Sequence, residues 1–293
     1  MIISPTYSQS CTITQPTGVY VQPGTCPQSP PIIINGQQYT VAFDDEFTSD
    51  QTINSSWSYT NPTFAYPARN GTGDDSYDVD PTKNLFGGYN PFSLSASTGL
   101  TITASPITSS QASAPQLQTV GSPVPHWLSG CLTGPPMQYG YFEFSATLPQ
   151  TTGVWPALWL EEFNHVNSTT DPFPEFVEAD TVELFGSNTA FQTLHYTYGS
   201  AAAQTTQAVH NTIIPGPHMY GVLITPTSVQ FYIDRQPTSP AYPATSVGTM
   251  LPIIQLQIFP ANSWSLPPAT LTPVSMSVQY FRQYTPTISI SAN

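Results

Sequence analysis

The chain has 293 residues, enough for one large all-β domain or two ordinary domains, and its 39% hydrophobic and 12% aromatic content can supply a core. Four basic residues, Arg69, Lys83, Arg235 and Arg282, stand against 17 acidic ones for a formal charge of −13, which argues against nucleic acid or an acidic membrane as partner. No apolar run reaches the roughly 18 residues of a membrane-spanning helix, and intrinsic disorder poorly fits a chain with 7% charged residues and many aromatics.

Residues 1–36 are rich in Pro, Thr, Ser and Gln without sustained periodicity and read as an extended arm laid on the domain or a linker remnant. Cys11 and Cys26 bracket a short Thr/Pro/Gly-rich segment and can form a disulfide in an oxidising compartment, the alternative being two free thiols; Cys131 sits alone. Met1-Ile2-Ile3-Ser4-Pro5 lacks the charged start and long apolar stretch of a signal peptide, so the expectation is a mature secreted chain whose leader has been removed. From Tyr39 the pattern changes. Tyr39–Phe43 alternates like a strand and runs into Asp44-Asp45-Glu46-Phe47, and Ala68–Tyr77 carries the turn formers of a surface loop. Gly99–Thr103 reads as a turn feeding a half-buried strand, and Trp155 and Trp159 lie four positions apart, on one face of a regular strand. Gln192–Tyr196, Ile253–Phe259 and Met276–Tyr284 read as further strands, while His126, His165, His210 and His218 lack metal-ligand spacing. Many short strands, Pro/Gly/Asn turns and no long helix predict an all-β, antiparallel β-sandwich, with residues 37–293 as one domain.

The acidic stretch Glu178-Ala179-Asp180-Thr181-Val182-Glu183 is flanked by Val177 and Leu184, so three carboxylates interrupt what otherwise reads as a buried strand. Alternation puts Glu178 and Asp180 on one face and Glu183, five positions on, on the other. One β-bulge between them returns Glu183 to the shared face. At roughly 3.3 Å per residue the two glutamate backbones lie about 13 to 16 Å apart, and inward-leaning side chains bring the carboxyls closer. A separation of about 5 to 5.5 Å suits a retaining glycosidase, with one carboxylate as nucleophile and one carboxylic acid as proton donor. The alternative is an acidic edge strand facing solvent.

Glu178-x-Asp180-x-x-Glu183, preceded by Gly153-Val154-Trp155-Pro156-Ala157-Leu158-Trp159-Leu160 and Tyr139-Gly140-Tyr141-Phe142-Glu143, resembles glycoside hydrolase family 16, and the likeness extends in order along nearly the whole chain. Tyr77–Pro81, Asn90–Leu94 and Gly99–Ala104 look particularly like its bacterial exopolysaccharide-glycanase branch. The resemblance implies a jelly roll with a concave substrate-binding sheet, Glu178 as nucleophile, Glu183 as acid and base, and Asp180 orienting the nucleophile. By the same likeness Asn70, Trp155, Trp159, His195 and Trp264 are substrate contacts, and Asp234-Arg235 is a hairpin turn. Departures are equally specific. Cys131 stands where many laminarinases carry Arg, Ile224 replaces a Trp, and Pro260-Ala261-Asn262 precedes Trp264 in place of glycines. Gln279 replaces an Asp that, with the first-strand Glu46, often holds a structural Ca²⁺, and an amide weakens a hard-cation site.

The expected function is that of a monomeric, endo-acting, retaining β-glycanase on β-1,3- or mixed β-1,3/1,4-linked glucan, or on a glucan-containing exopolysaccharide. It needs no redox cofactor or catalytic metal. A transglycosylase with the same residues and a non-catalytic carbohydrate-binding protein are the alternatives. So few basic groups limit the positive charge the chain acquires in acid, which leads to the expectation of a protein adapted to acidic surroundings.

Overall fold

Strands rather than long helices form the described residues: burial alternates along Gly99–Pro106 and Val274–Pro286, whereas Trp127–Thr133, Val154–Glu162 and Met250–Ile258 are buried at nearly every position, as strands covered on both faces are. The computed structural model describes residues 30–48, 53, 56–59, 75–113, 126–163, 176–197, 204–244, 247–259 and 272–287. Among them are seventeen strands: β1 (Ile32–Ile34), β2 (Gln37–Asp45), β3 (Ser76–Asp78), β4 (Phe92–Ser95), β5 (Gly99–Pro106), β6 (Trp127–Thr133), β7 (Gly140–Thr147), β8 (Val154–Glu162), β9 (Phe176–Leu184), β10 (Thr189–Thr197), β11 (Gln204–Thr212), β12 (Pro217–Thr225), β13 (Ser228–Ile233), β14 (Gln236–Pro237), β15 (Tyr242–Pro243), β16 (Met250–Ile258) and β17 (Val274–Pro286). The strands read from the sequence at Tyr39, Gly99, Gln192, Ile253 and Met276 all form. The tail of the segment read as an arm, Ile32–Ile34, is itself a strand paired antiparallel with β2.

One sheet runs β6-β16-β8-β9-β10-β11, all antiparallel, with β3 added beside β6 in parallel. The other runs β1-β2-β17-β7-β12-β13, with β4 and β5 joined to β17. β5 also pairs with β6 at its far end, which links the two sheets. Leu158, Leu160, Val182, Leu194, Ile254 and Leu256 from the first sheet meet Phe142, Phe144, Tyr220, Phe231 and Phe281 from the second in one buried cluster. Burial of that apolar surface, at about 25 cal/mol per Å², is the main force closing the sandwich. Ile224, in place of a Trp, is part of this core.

Two turns show what the backbone demands. Gly99 (φ +67) lies so close to β17 that a Cβ would meet the Val278 carbonyl oxygen at 2.3 Å. Asp234 and Arg235 (φ 52 and 61) turn between β13 and β14 in the left-handed region, which non-glycine residues disfavour. Arg235 offsets that cost through two 2.8 Å bonds to fully buried Glu143 of β7, which also accepts from the Tyr280 hydroxyl at 2.9 Å.

Candidate active site

β9 lies between β8 and β10 and carries the acidic stretch. Against β8 the register passes from Trp159↔Asp180 to Leu158↔Val182, and against β10 from Thr193↔Asp180 to Phe191↔Glu183. Thr181 is the extra residue. Without it Glu183 would face the core; with it Glu178, Asp180 and Glu183 line one pocket of about 130 Å³, together with Trp155, Ala157, Trp159, Gln255 and Gln257. The expectation of a shared face through one bulge is met. The solvent-facing edge strand is not, because β9 is paired on both sides and Asp180 is 3% exposed.

The pocket walls supply both apolar surface and hydrogen bonds. Trp155 stacks on Phe259, with ring centroids 5.0 Å apart and planes at 8°, and its Nε1–H donates to Glu183 Oε1 at 2.8 Å. Trp159 is 7% exposed and packs with Cys131, Ala157 and Ile253 on the pocket side of the sheet, outside the main core. Its buried Nε1–H finds no acceptor among the described residues. Such a donor is costly to leave unmet in a closed interior and is available to a ligand hydroxyl in a pocket. His195 is the register partner of Glu178, with Nε2 3.3 Å from Asp180 Oδ2 and Nδ1 3.2 Å from Thr206 Oγ1.

Crowding these acids raises their proton affinity. Glu178 is driven well above the ordinary carboxylate range, first by burial and then by the charges of Asp180 and Glu161, with His195 pulling the other way. Asp180 is pushed up to about 8 by burial and by Glu161. Glu183 also rises well above its usual value through burial and Asp180, opposed by the Trp155 hydrogen bond and His195. Glu178 and Glu183 keep an opening to solvent through the pocket mouth while the walls enclose them. Three like charges so close cannot all persist, so the group holds protons into the neutral range and can present one carboxylic acid beside one carboxylate.

Two lining residues, Gln255 and Gln257, and one buried neighbour of the pocket, Glu161, were not singled out in the sequence. Glu161, fully buried on β8, is the register partner of Glu178, and Gln255 and Gln257 of β16 pair with Ala157 and Trp155. The alternation that pairs Trp155 with Trp159 continues to Glu161 and was the available signal. Its neighbour Glu162 turns the other way and accepts the Val177 backbone N–H at 3.2 Å. Gln255 is oriented by Asp78, to which its Nε2 donates at 2.9 Å. Cys131, which stands where many laminarinases carry Arg, is fully buried among apolar side chains. Asn70, Trp264, Cys11 and Cys26 lie outside the described residues.

Among the described residues, ligand atoms of Glu178, Asp180 and His195 come within 4.8 Å of one another, as a metal site would need, but they belong to the acidic pocket already described. The residues considered for Ca²⁺ do not suit it. Glu46 and Asp44 both bind the Arg282 guanidinium, and Gln279 offers an amide that accepts from Ser145 and donates to Ser277. A divalent cation would have to displace an arginine and make do with one fewer carboxylate.

The fold recurs in solved laminarinases. The chain matches the endo-β-1,3-glucanase of Pyrococcus furiosus at 20% identity and TM-score 0.65, covering 88% of this chain and 98% of that one. It matches the laminarinase catalytic domain of Thermotoga petrophila RKU-1 at 18% identity and TM-score 0.63, covering 86% and 100%. These likenesses bear out the jelly-roll expectation. In sequence it is 33% identical over 205 residues to endo-1,3-1,4-beta-glycanase EglC and 31% identical over 202 residues to endo-1,3-1,4-beta-glycanase ExsH, both of Rhizobium meliloti (strain 1021). Those alignments take in 67% and 66% of this chain and 41% and 40% of the relatives, so the chain spans about two fifths of their length. The model for "Glycosyl hydrolases family 16" matches residues 101–280, which is more than half the chain and includes the whole acidic strand. The protein belongs to glycosyl hydrolase family 16.

Proposed function

We propose that the protein is an endo-acting, retaining β-glycanase that hydrolyses β-1,3- or mixed β-1,3/1,4-linked glucan, including glucan-containing exopolysaccharide. The observation that carries this reading is the bulge at Thr181, which sets two glutamates and an aspartate on one face of β9 inside a tryptophan-lined pocket. Glu178, ionised, attacks the anomeric carbon. The glycosidic C–O bond breaks, and Glu183 gives its proton to the departing oxygen. Glu183, now a carboxylate, takes a proton from water as that water attacks the anomeric carbon, and the Glu178 ester is released. Asp180 shares charge and protons with both glutamates and is fixed by His195. The flat faces of Trp155 and Trp159 suit the C–H faces of a pyranose, and the unmet Trp159 N–H suits one of its hydroxyls. The names of the Rhizobium relatives support the substrate class. The scarcity of basic residues supports secretion into acidic surroundings.

Glu178→Gln and Glu183→Gln should each lower turnover of laminarin or lichenan by a factor on the order of 10³ or more while preserving the fold, because an amide can neither attack nor donate the proton. Reducing-end assays and proton NMR of the first product would test this. A product of inverted anomeric configuration, or near-normal hydrolysis by Glu178→Gln, would refute the reading.

A further inference from the structure

The bulge that assembles the site leaves Thr181 without a register partner in either ladder, so its backbone carbonyl needs a donor from elsewhere. Gln192 of β10, fully buried at the register shift, answers it: its Nε2 donates to Thr181 O at 2.8 Å and to Tyr232 O of the opposite sheet at 3.2 Å. The Thr238 hydroxyl donates to Gln192 Oε1 at 2.6 Å and fixes which way the amide points. One side chain therefore ties the extra residue of the catalytic strand to the far sheet. A buried carbonyl without a donor is expensive, and a strand that slips by one residue flips every side chain beyond the slip.

We propose that Gln192 is a positioning residue for Glu183: by holding the Thr181 carbonyl it maintains the bulge and keeps the Glu183 carboxyl on the pocket face, without itself touching substrate. This rests on the reading of Glu183 as the proton donor. If it is right, loosening Gln192 misplaces the acid and impairs departure of a poor leaving group far more than departure of a good one, whose oxygen needs no proton. A residue that merely supported the fold would lower both alike.

The test compares kcat/KM, which reports the glycosylation step, for a β-glucan oligosaccharide and for the matching 2,4-dinitrophenyl β-glycoside. Gln192→Leu should lose a factor on the order of 10² on the oligosaccharide and less than about tenfold on the aryl glycoside, the pattern also expected of Glu183→Gln. Thr238→Val, which keeps the amide and removes its orienting donor, should show the same selectivity with a loss of about tenfold, and carries the test if Gln192→Leu does not fold. Equal losses on the two substrates, or parental activity in both variants, would overturn the proposal. A readout independent of catalysis is the NMR resonance of the Trp155 Nε1–H, which reports its bond to Glu183 and should shift in both variants. If Glu183→Gln itself shows no dependence on leaving group, the acid assignment fails, and the resonance decides the rest: movement supports the placement role of Gln192, and an unmoved resonance overturns it.

Discussion

Asp180→Asn should make the protein more stable at neutral pH while impairing catalysis. The Asp180 carboxyl has an ordinary value of 3.8 and is pushed up to about 8 in the folded site. A carboxyl raised in the folded state contributes stability that is complete below the unfolded value and is lost as pH rises toward the folded one. From pH 4 to pH 7 the unfolded chain releases this proton and the folded site retains it, a cost of about three pH units, or about 4 kcal/mol at about 1.4 kcal/mol per unit. Glu178 and Glu183 share the same burial and mutual repulsion, so removing one member recovers about half of that, about 2 kcal/mol. For a domain of this size that is a rise in Tm of about 4 to 8 °C at pH 7. The asparagine oxygen can still accept from His195, so the contact at 3.3 Å need not be lost. Calorimetric melting of parent and variant from pH 4 to pH 8 should give curves that meet near pH 4 and separate above it. A variant that melts at or below the parent at pH 7, or a parent whose Tm rises from pH 4 to pH 7, would refute the reasoning.

Glu161→Gln removes a buried negative charge that raises both Glu178 and Asp180, so the acidic limb of the pH–rate profile should move to lower pH by about one unit; a limb that stays put or moves up would show that Glu161 carries no charge felt by the nucleophile. Arg235→Met strands Glu143, fully buried at the centre of the second sheet, and should cost about 3 kcal/mol in urea unfolding, partly restored by adding Glu143→Gln. A loss under about 1 kcal/mol would place the ion pair among those that contribute little.

Parity made the acidic strand legible. Five positions between Glu178 and Glu183 cannot share a face of a regular strand, so a bulge followed from the wish to unite them, and it occurs. That Thr181 is the extra residue depends on how β8 and β10 align, which a single strand does not encode. Glu161 was accessible by the same alternation that linked Trp155 to Trp159, but its burial depends on β9 lying alongside. Gln192 was not accessible at all. Beside Thr193 and His195 it reads as one more alternating strand position, and its role depends on Tyr232 and Thr238, 40 and 46 residues further along the chain. Long-range polar partners of this kind are invisible to pattern and spacing, whereas the apolar periodicity of the strands is local.

The case for an acidic habitat, first a matter of composition, gains a second argument from where the acids sit. Few basic groups limit self-repulsion at low pH, which concerns the surface and the whole-molecule charge. The buried carboxyls act through another route. Besides the acidic trio of β9, Asp44 is lifted to about 7 by burial against the pull of Arg282, and Asp45, which accepts from the Phe47 N–H and the Trp57 indole, is lifted to about 6 by burial. Each of these groups binds its proton more tightly folded than unfolded, so each favours the native state as pH falls through the range in which ordinary domains, whose paired carboxylates have depressed values, begin to lose stability. On the proposed mechanism catalysis sets the opposite boundary, because Glu178 must be ionised to attack. Raising its proton affinity brings that boundary toward neutrality, and the proximity of Glu161 adds to that rise. Stability therefore favours acid while the nucleophile resists it, and the activity optimum should sit at a higher pH than the stability optimum. Turnover and thermal unfolding measured on one protein sample from pH 2 to pH 8 test this ordering, and an activity maximum at or below the pH of greatest Tm would contradict it.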